Sequence, residues 1–179
     1  MESEVYLITS NPNKAREIGQ ILGTELKTRA FELHEIQSLD VRVVAEDKAR
    51  KAFDELGKPV IVEDTGLYIE AWRGFPGALV AWMVKSIDQA RICSMVGDNR
   101  AAYAETCIAY YDGKRMHSFT GRAYGTIAQE PRGETGFGWD AIFVPEGHQR
   151  TFAELGPEEK NAISHRAKAL MKLREHMKL

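Results

Sequence analysis

The chain has 179 residues, with 24 basic and 26 acidic side chains and a formal net charge of −2, which describes a single domain over 1–179 and excludes a general nucleic-acid coat or a polybasic membrane binder. Its hydrophobic content of 44% is enough for a core, and its two cysteines, Cys93 and Cys107, form no disulfide framework and suit a reducing compartment. The opening Met-Glu-Ser-Glu lacks the basic start of a signal peptide, and the longest apolar run, Ala78 to Val84, is too short to span a bilayer, so a cytoplasmic protein is expected.

Val5 to Thr9 is an apolar run of strand formers and reads as a buried first strand. Asn11 is a good N-cap and Pro12 suits a first helical position, which predicts a helix from Pro12 to Leu22 stopped by Gly23. A second helix is expected over Asp40 to Leu56, with Ala45, Ala49, Ala52, Phe53 and Leu56 on one face and Gly57 as its stop. Pro59 to Asp64 reads as a short strand broken by Gly66, and Arg73 to Gly77 as a loop. Helices follow at Ala78–Ser86 and Asp88–Met95. Two extended runs, Ala101–Tyr111 and Lys114–Ala128, flank Asp112-Gly113 as a hairpin. Gly133 to Asp140 is a Gly-rich loop, Ala141–Val144 a short strand, and Pro157 opens a final helix with Ile163, Ala167, Leu170, Leu173 and Met177 as its buried stripe. Early strand–helix units followed by a long hairpin predict a mixed α/β fold.

Four segments carry candidate chemistry. Thr9-Ser10-Asn11-Pro12-Asn13-Lys14 ends a strand and opens a helix, so its backbone N–H groups, the helix dipole and Lys14 suit an anion such as phosphate. Glu63 and Asp64 alternate faces at the end of an apolar strand, where they need solvent, a partner or a cation; Mg²⁺ fits such hard oxygens, with Glu35 as a further ligand. Phe137-Gly138-Trp139-Asp140 offers aromatics that stack on a base and an acid that accepts from a base-edge N–H. Lys160, Ser164, His165 and Arg166 place cations, a hydroxyl and an imidazole near one helix entrance, matched to phosphate or a purine carbonyl. Each alone has a plainer alternative: a capped helix, a strand end in solvent, a bend with core aromatics, and a solvated helix face. The five histidines show no zinc-ligand spacing, and no Gly-x-Ser-x-Gly elbow is present.

Taken together, these segments resemble the inosine triphosphate pyrophosphatase family. The likeness runs through Thr9–Lys14, Glu35-Ile-Gln37, Glu63–Leu67, Gly74-Phe-Pro-Gly77, Gly136–Asp140, Phe152-Ala-Glu154 and Glu159–Arg166, in this order over nearly the whole chain. Ser10 stands where many members have Gly, Trp139 where Tyr is common, and no basic residue follows Gly77 closely. The resemblance implies an elongated two-lobed α/β fold with a long curved mixed sheet, a nucleotide cleft between the lobes, and a homodimer. It implies hydrolysis of ITP, dITP and XTP to the monophosphate and pyrophosphate.

By the same resemblance Thr9 to Lys14 form the phosphate turn, and Glu35 and Asp64 hold Mg²⁺, with Asp64 as general base. Lys48 contacts triphosphate and Thr65 adjoins the substrate. Phe137 to Asp140, Ser164, His165 and Arg166 hold the base, and Lys160 serves substrate binding. Two alternatives stay open: a septum-formation (Maf-type) pyrophosphatase acting on other nucleotides, and a non-catalytic nucleotide sensor. No nucleic-acid or membrane partner is expected.

Overall fold

The computed structural model describes residues 4–24 and 26–178. Met1 to Ser3, part of the start weighed against a signal peptide, lie outside the described residues. Strand β1 (Tyr6–Ile8) is fully buried and pairs in parallel with β2 (Lys27–Arg29) and β3 (Val60–Ile69). The polar, exposed β2 carries no apolar alternation, which is why the sequence offers no sign of it.

Helix α1 (Pro12–Leu22) starts at the expected cap, where Asn11 accepts from the N–H groups of Asn13 and Lys14, and ends at Gly23. Helix α2 (Val41–Leu56) is capped by Asp40 and stopped by Gly57; Val41, Val44, Ala45, Ala49 and Ala52 are buried along it.

Strand β3 does not break at Gly66 but runs on to Ile69. A Cβ at Gly66 would lie 2.8 Å from the carbonyl carbon of Gly77. The glycine therefore marks close backbone approach, not a strand end. The partner is β4 (Pro76–Gly77), a two-residue antiparallel strand within the segment expected to be loop. Helices α3 (Val80–Ser86) and α4 (Gln89–Met95) follow, the second capped by Asp88.

The expected hairpin is present as β5 (Ala101–Tyr111) and β6 (Met116–Ile127). Its turn is longer than Asp112-Gly113, because Asp112 Oδ1 accepts from the N–H groups of both Lys114 and Arg115 and holds them out of the strand. Strand β7 (Phe143–Pro145) pairs with β6.

The final helix is two helices, α5 (Pro157–Ile163) and α6 (His165–Met177). Between them Ser164 is extended (φ −67°, ψ 157°), and its side chain accepts from the Ala167 N–H, so it caps α6. A Ser with a local backbone partner favours a cap over a helix interior. The turn re-aims His165 and Arg166 away from the line set by Lys160.

The seven-stranded mixed sheet has the order β2-β1-β3-β5-β6-β7, with β4 beside β3. One core cluster joins α2 to Val60, Val62, Cys107 and Ala109. Another joins α1 and α6 to Leu7, Ile61 and Ile108 on the opposite face. A third fills the far half of the sheet, where Leu67, Ile69, Ala104 and Ala123 meet α3, α4, Trp139, Phe143 and Phe152. The long strands β3, β5 and β6 thus join two packed halves. Helix α6 lies directly on β6 at Gly121, where a Cβ would overlap the backbone of His165 and Ala169. Among the described residues no helix is long and apolar enough to cross a membrane.

Candidate active site

The site is organised by Glu63 and Asp64, adjacent on β3 where the strand passes between the two halves. Alternation sends them to opposite faces of the sheet. Asp64 faces Lys48 of α2, and Glu63 faces Lys14 of α1 and Arg166 of α6.

On the α2 face, Lys48 Nζ lies 2.8 Å from Glu35 Oε2 and 3.6 Å from Asp64 Oδ1. Asp64 is buried, and its Oδ2 has no hydrogen-bond partner among the described residues. Burial pushes the Asp64 carboxyl up to about 7, against the pull of Lys14 and Lys48 and with the help of Glu35 and Glu63. Burial also opposes the charge of Lys48, but Asp64 and Glu35 outweigh it and raise its pKa. The α2 face therefore holds a carboxylate pair with one cation and unused acceptor capacity.

On the other face the charges are matched. Arg166 donates to Glu63 through Nε (2.6 Å) and Nη2 (3.2 Å), and through Nη1 to Glu17. Lys160 Nζ donates to Glu17 Oε1 and Asp140 Oδ2, each at 2.7 Å. Lys14 Nζ lies 3.1 Å from Glu63 Oε1, to which Thr65 Oγ1 also donates. Asp140 Oδ2 accepts the Phe137 N–H at 2.8 Å. The Phe137 ring sits over Lys160 Nζ (4.9 Å) and the Arg166 guanidinium (5.6 Å).

The Glu63 carboxyl, although buried, is held well below the usual carboxylate range by Arg166 and Lys14. Asp140 is raised because burial outweighs Lys160. His165 is pushed well below its ordinary value by burial and by the charges of Arg166 and Lys160, so its imidazole is neutral at pH 7. It lies between Trp139 (5.3 Å between ring centres) and Phe152 (5.9 Å), with Nδ1 unpartnered among the described residues.

A family model described as the Ham1 family matches residues 5–176. The chain belongs to the Ham1 family. It is 40% identical to the inosine triphosphate pyrophosphatase of Kluyveromyces lactis, over 97% of this chain and 95% of that protein. It is 44% identical to the dITP/XTP pyrophosphatase of Thermococcus kodakarensis, over 96% of this chain and 95% of that one. A solved Ham1 protein from Coxiella burnetii superposes with a TM-score of 0.84 at 33% identity, over 98% of both chains.

For several residues expected in the site, the structure decides between the functional reading and the plainer alternative. The first-turn N–H groups of Asn13 and Lys14 are not free for an anion, since Asn11 Oδ1 takes both, while the Asn11 N–H goes to Thr9 Oγ1. Ser10 and Pro12 are exposed. Trp139 is not on an exposed loop; it is 6% exposed and packs edge-on against Phe143. The core-aromatic alternative holds for it, whereas Phe137 is half-buried and Gly138 exposed. Ser164 is fully buried as a helix cap. Lys160, His165 and Arg166 are not a solvated face, because all three are buried.

Glu17 is a residue sequence reasoning missed. It is buried on α1 beside Ile18 and one turn from Lys14, and an acid on a core-facing stripe was the available signal. Gln89 was missed as well: its side chain donates to the Gly138 carbonyl at 2.6 Å and ties α4 to the Gly-rich loop.

Proposed function

We propose that this chain hydrolyses non-standard purine nucleoside triphosphates such as ITP, dITP and XTP to the monophosphate and pyrophosphate. The carrying observation is Asp64: a buried carboxylate with an unpartnered oxygen, facing Glu35 and Lys48, in a chain matched over nearly all its length by relatives named for that activity. In the metal-free protein this carboxyl has its proton affinity raised toward neutrality, and its unpartnered oxygen is available to accept a proton as a general base. Asp64 takes the proton from the water that attacks the α-phosphorus. Lys14 and Lys48 meet the charge on the departing pyrophosphate.

Mg²⁺ belongs to the same proposal. Among the described residues no three His, Cys, Asp or Glu side chains converge as a complete metal cage. Two carboxylates with spare acceptors still suit Mg²⁺, which commonly binds through one or two carboxylates and the substrate phosphates. Glu35 and Asp64 would hold it, and the ion would supply phosphoryl polarisation and a more acidic water. Homodimeric assembly is also proposed, on the family resemblance, and a cytoplasmic location, on the two unpaired cysteines that suit a reducing compartment.

Selectivity is an acceptor argument. ITP and XTP carry an oxygen at purine position six where ATP carries an amino group. Donors near His165 and Arg166, whose guanidinium lies behind the Phe137 ring, would match that oxygen and oppose the amino group's own donors. A panel of ITP, XTP, ATP, GTP and pyrimidine triphosphates, with and without Mg²⁺ and with pyrophosphate detection, tests the reading. Turnover of ITP and XTP over ATP is expected. Equal turnover of ATP removes the selectivity account, preferred pyrimidine turnover supports the Maf-type alternative, and binding without pyrophosphate release supports a sensor.

A further inference from the structure

Lys48 stands between the two side chains proposed to hold the metal. We propose that its ammonium is a resident placeholder for the divalent cation: it bridges Glu35 and Asp64 in the metal-free protein and must leave when the ion enters. Metal entry and release of a phosphate-binding cation are then one event. This inference rests on the metal site proposed above.

The geometry supplies the reason. The ammonium at 2.8 Å from Glu35 and 3.6 Å from Asp64 fills the space that a cation shared by both carboxylates requires. A divalent ion placed there would face a like charge at close range, so both cannot stay. Glu35 belongs to the stretch 30–39, which has no regular secondary structure, and its side chain is 45% exposed. Without a cation between them, Glu35 and Asp64 repel one another.

Lys48 is free to leave without unmooring this stretch. Lys51, one turn on along α2, donates to the His34 carbonyl at 2.7 Å and pairs with Asp47. The segment is thus anchored at His34 independently of the contact to Glu35. The four-carbon stem of Lys48 lets the ammonium swing on a fixed helix. The other lysine near this carboxylate pair, Lys14, is already paired with Glu63 on the opposite face.

Two consequences follow from linkage. The apparent metal affinity is reduced by the fraction of molecules in which Lys48 is seated. Metal and triphosphate also strengthen each other's binding, because the ion frees a cation for the phosphates.

The test is Mn²⁺ titrated into the nucleotide-free full chain, with free ion read by electron paramagnetic resonance. Lys48→Met and the gentler Lys48→Gln are expected to bind Mn²⁺ about tenfold or more tightly than wild type. Mn²⁺ is also expected to raise the Tm of either variant by more than it raises that of wild type. Adding Asp64→Asn should abolish the gain. A lysine that only supports the fold would lower the Tm on substitution without tightening Mn²⁺ binding. Unchanged or weaker Mn²⁺ affinity in both Lys48 variants, with Asp64→Asn still weakening binding, overturns the placeholder alone. Mn²⁺ binding indifferent to Asp64→Asn in every background overturns the metal site itself, and the placeholder with it.

Discussion

Glu63 and Asp64 are neighbours in the chain and both are buried, yet their carboxyls shift in opposite directions. Glu63, bracketed by Arg166, Lys14 and Thr65, is held well below the usual carboxylate range. Asp64, with a shared lysine and one unpartnered oxygen, is pushed up to about 7. Burial acts on both; the supply of counter-charge decides the sign. The α1 and α6 face is a completed ionic network that positions the base-side loop. The α2 face is left short of positive charge, which is the condition for taking up a cation and a proton.

Removing the carboxylate on the short side tests that contrast most severely. Asp64→Asn is expected to lower turnover by about 10²–10⁴-fold, the usual worth of a general base, in a steady-state pyrophosphate assay. The same variant has an expected pH signature in metal-free protein. The folded-state pKa of Asp64 lies above its ordinary value of 3.8, so the fold favours the protonated form. That contribution to stability is present below the unfolded value and is lost as pH rises through about 7. Denaturant melts in chelator should therefore show Asp64→Asn gaining on wild type from pH 4 to pH 8; parallel profiles would mean that burial does not raise the Asp64 carboxyl.

On the matched face the expected loss is in stability. Arg166→Met leaves Glu63 and Glu17 short of a buried partner and should cost about 3–5 kcal/mol in urea unfolding. A loss under about 1 kcal/mol, the worth of an exposed pair, would break the distinction between the faces. Smallest is Ser164→Ala, which deletes the cap that starts α6 and should cost about 1 kcal/mol. Since the cap aims His165 and Arg166, the ratio of ITP to ATP turnover should fall in that variant; an unchanged ratio would separate the helix break from base selection.

Local chemistry made much of this legible. Asn11, Pro12 and Gly23 delimit α1, and Asp40 and Gly57 delimit α2, because caps and stops are short-range signals. The split faces of Glu63 and Asp64 follow from strand alternation alone. The failures share a different cause. Gly66 reads as a breaker until Gly77 is seen to need its missing side chain. Ser164 lies within a continuous helical pattern, and only its cap to Ala167 shows the interruption. Trp139 reads as a loop aromatic because the residues that bury it, Phe143, Phe152 and His165, are gathered from a strand, a turn and a helix. The partners of Glu17 are 143 and 149 positions away, a separation over which no local pattern carries information.

Gly121 sets a mechanical tolerance for this arrangement. With no side chain at that point, the first turn of α6 rests on the bare backbone of β6. The height at which His165 and Arg166 ride above the sheet is therefore gauged by a single hydrogen atom. Even one methyl group there would act as a shim, lifting the guanidinium from Glu63 and loosening the network from beneath, without altering any charged residue in it.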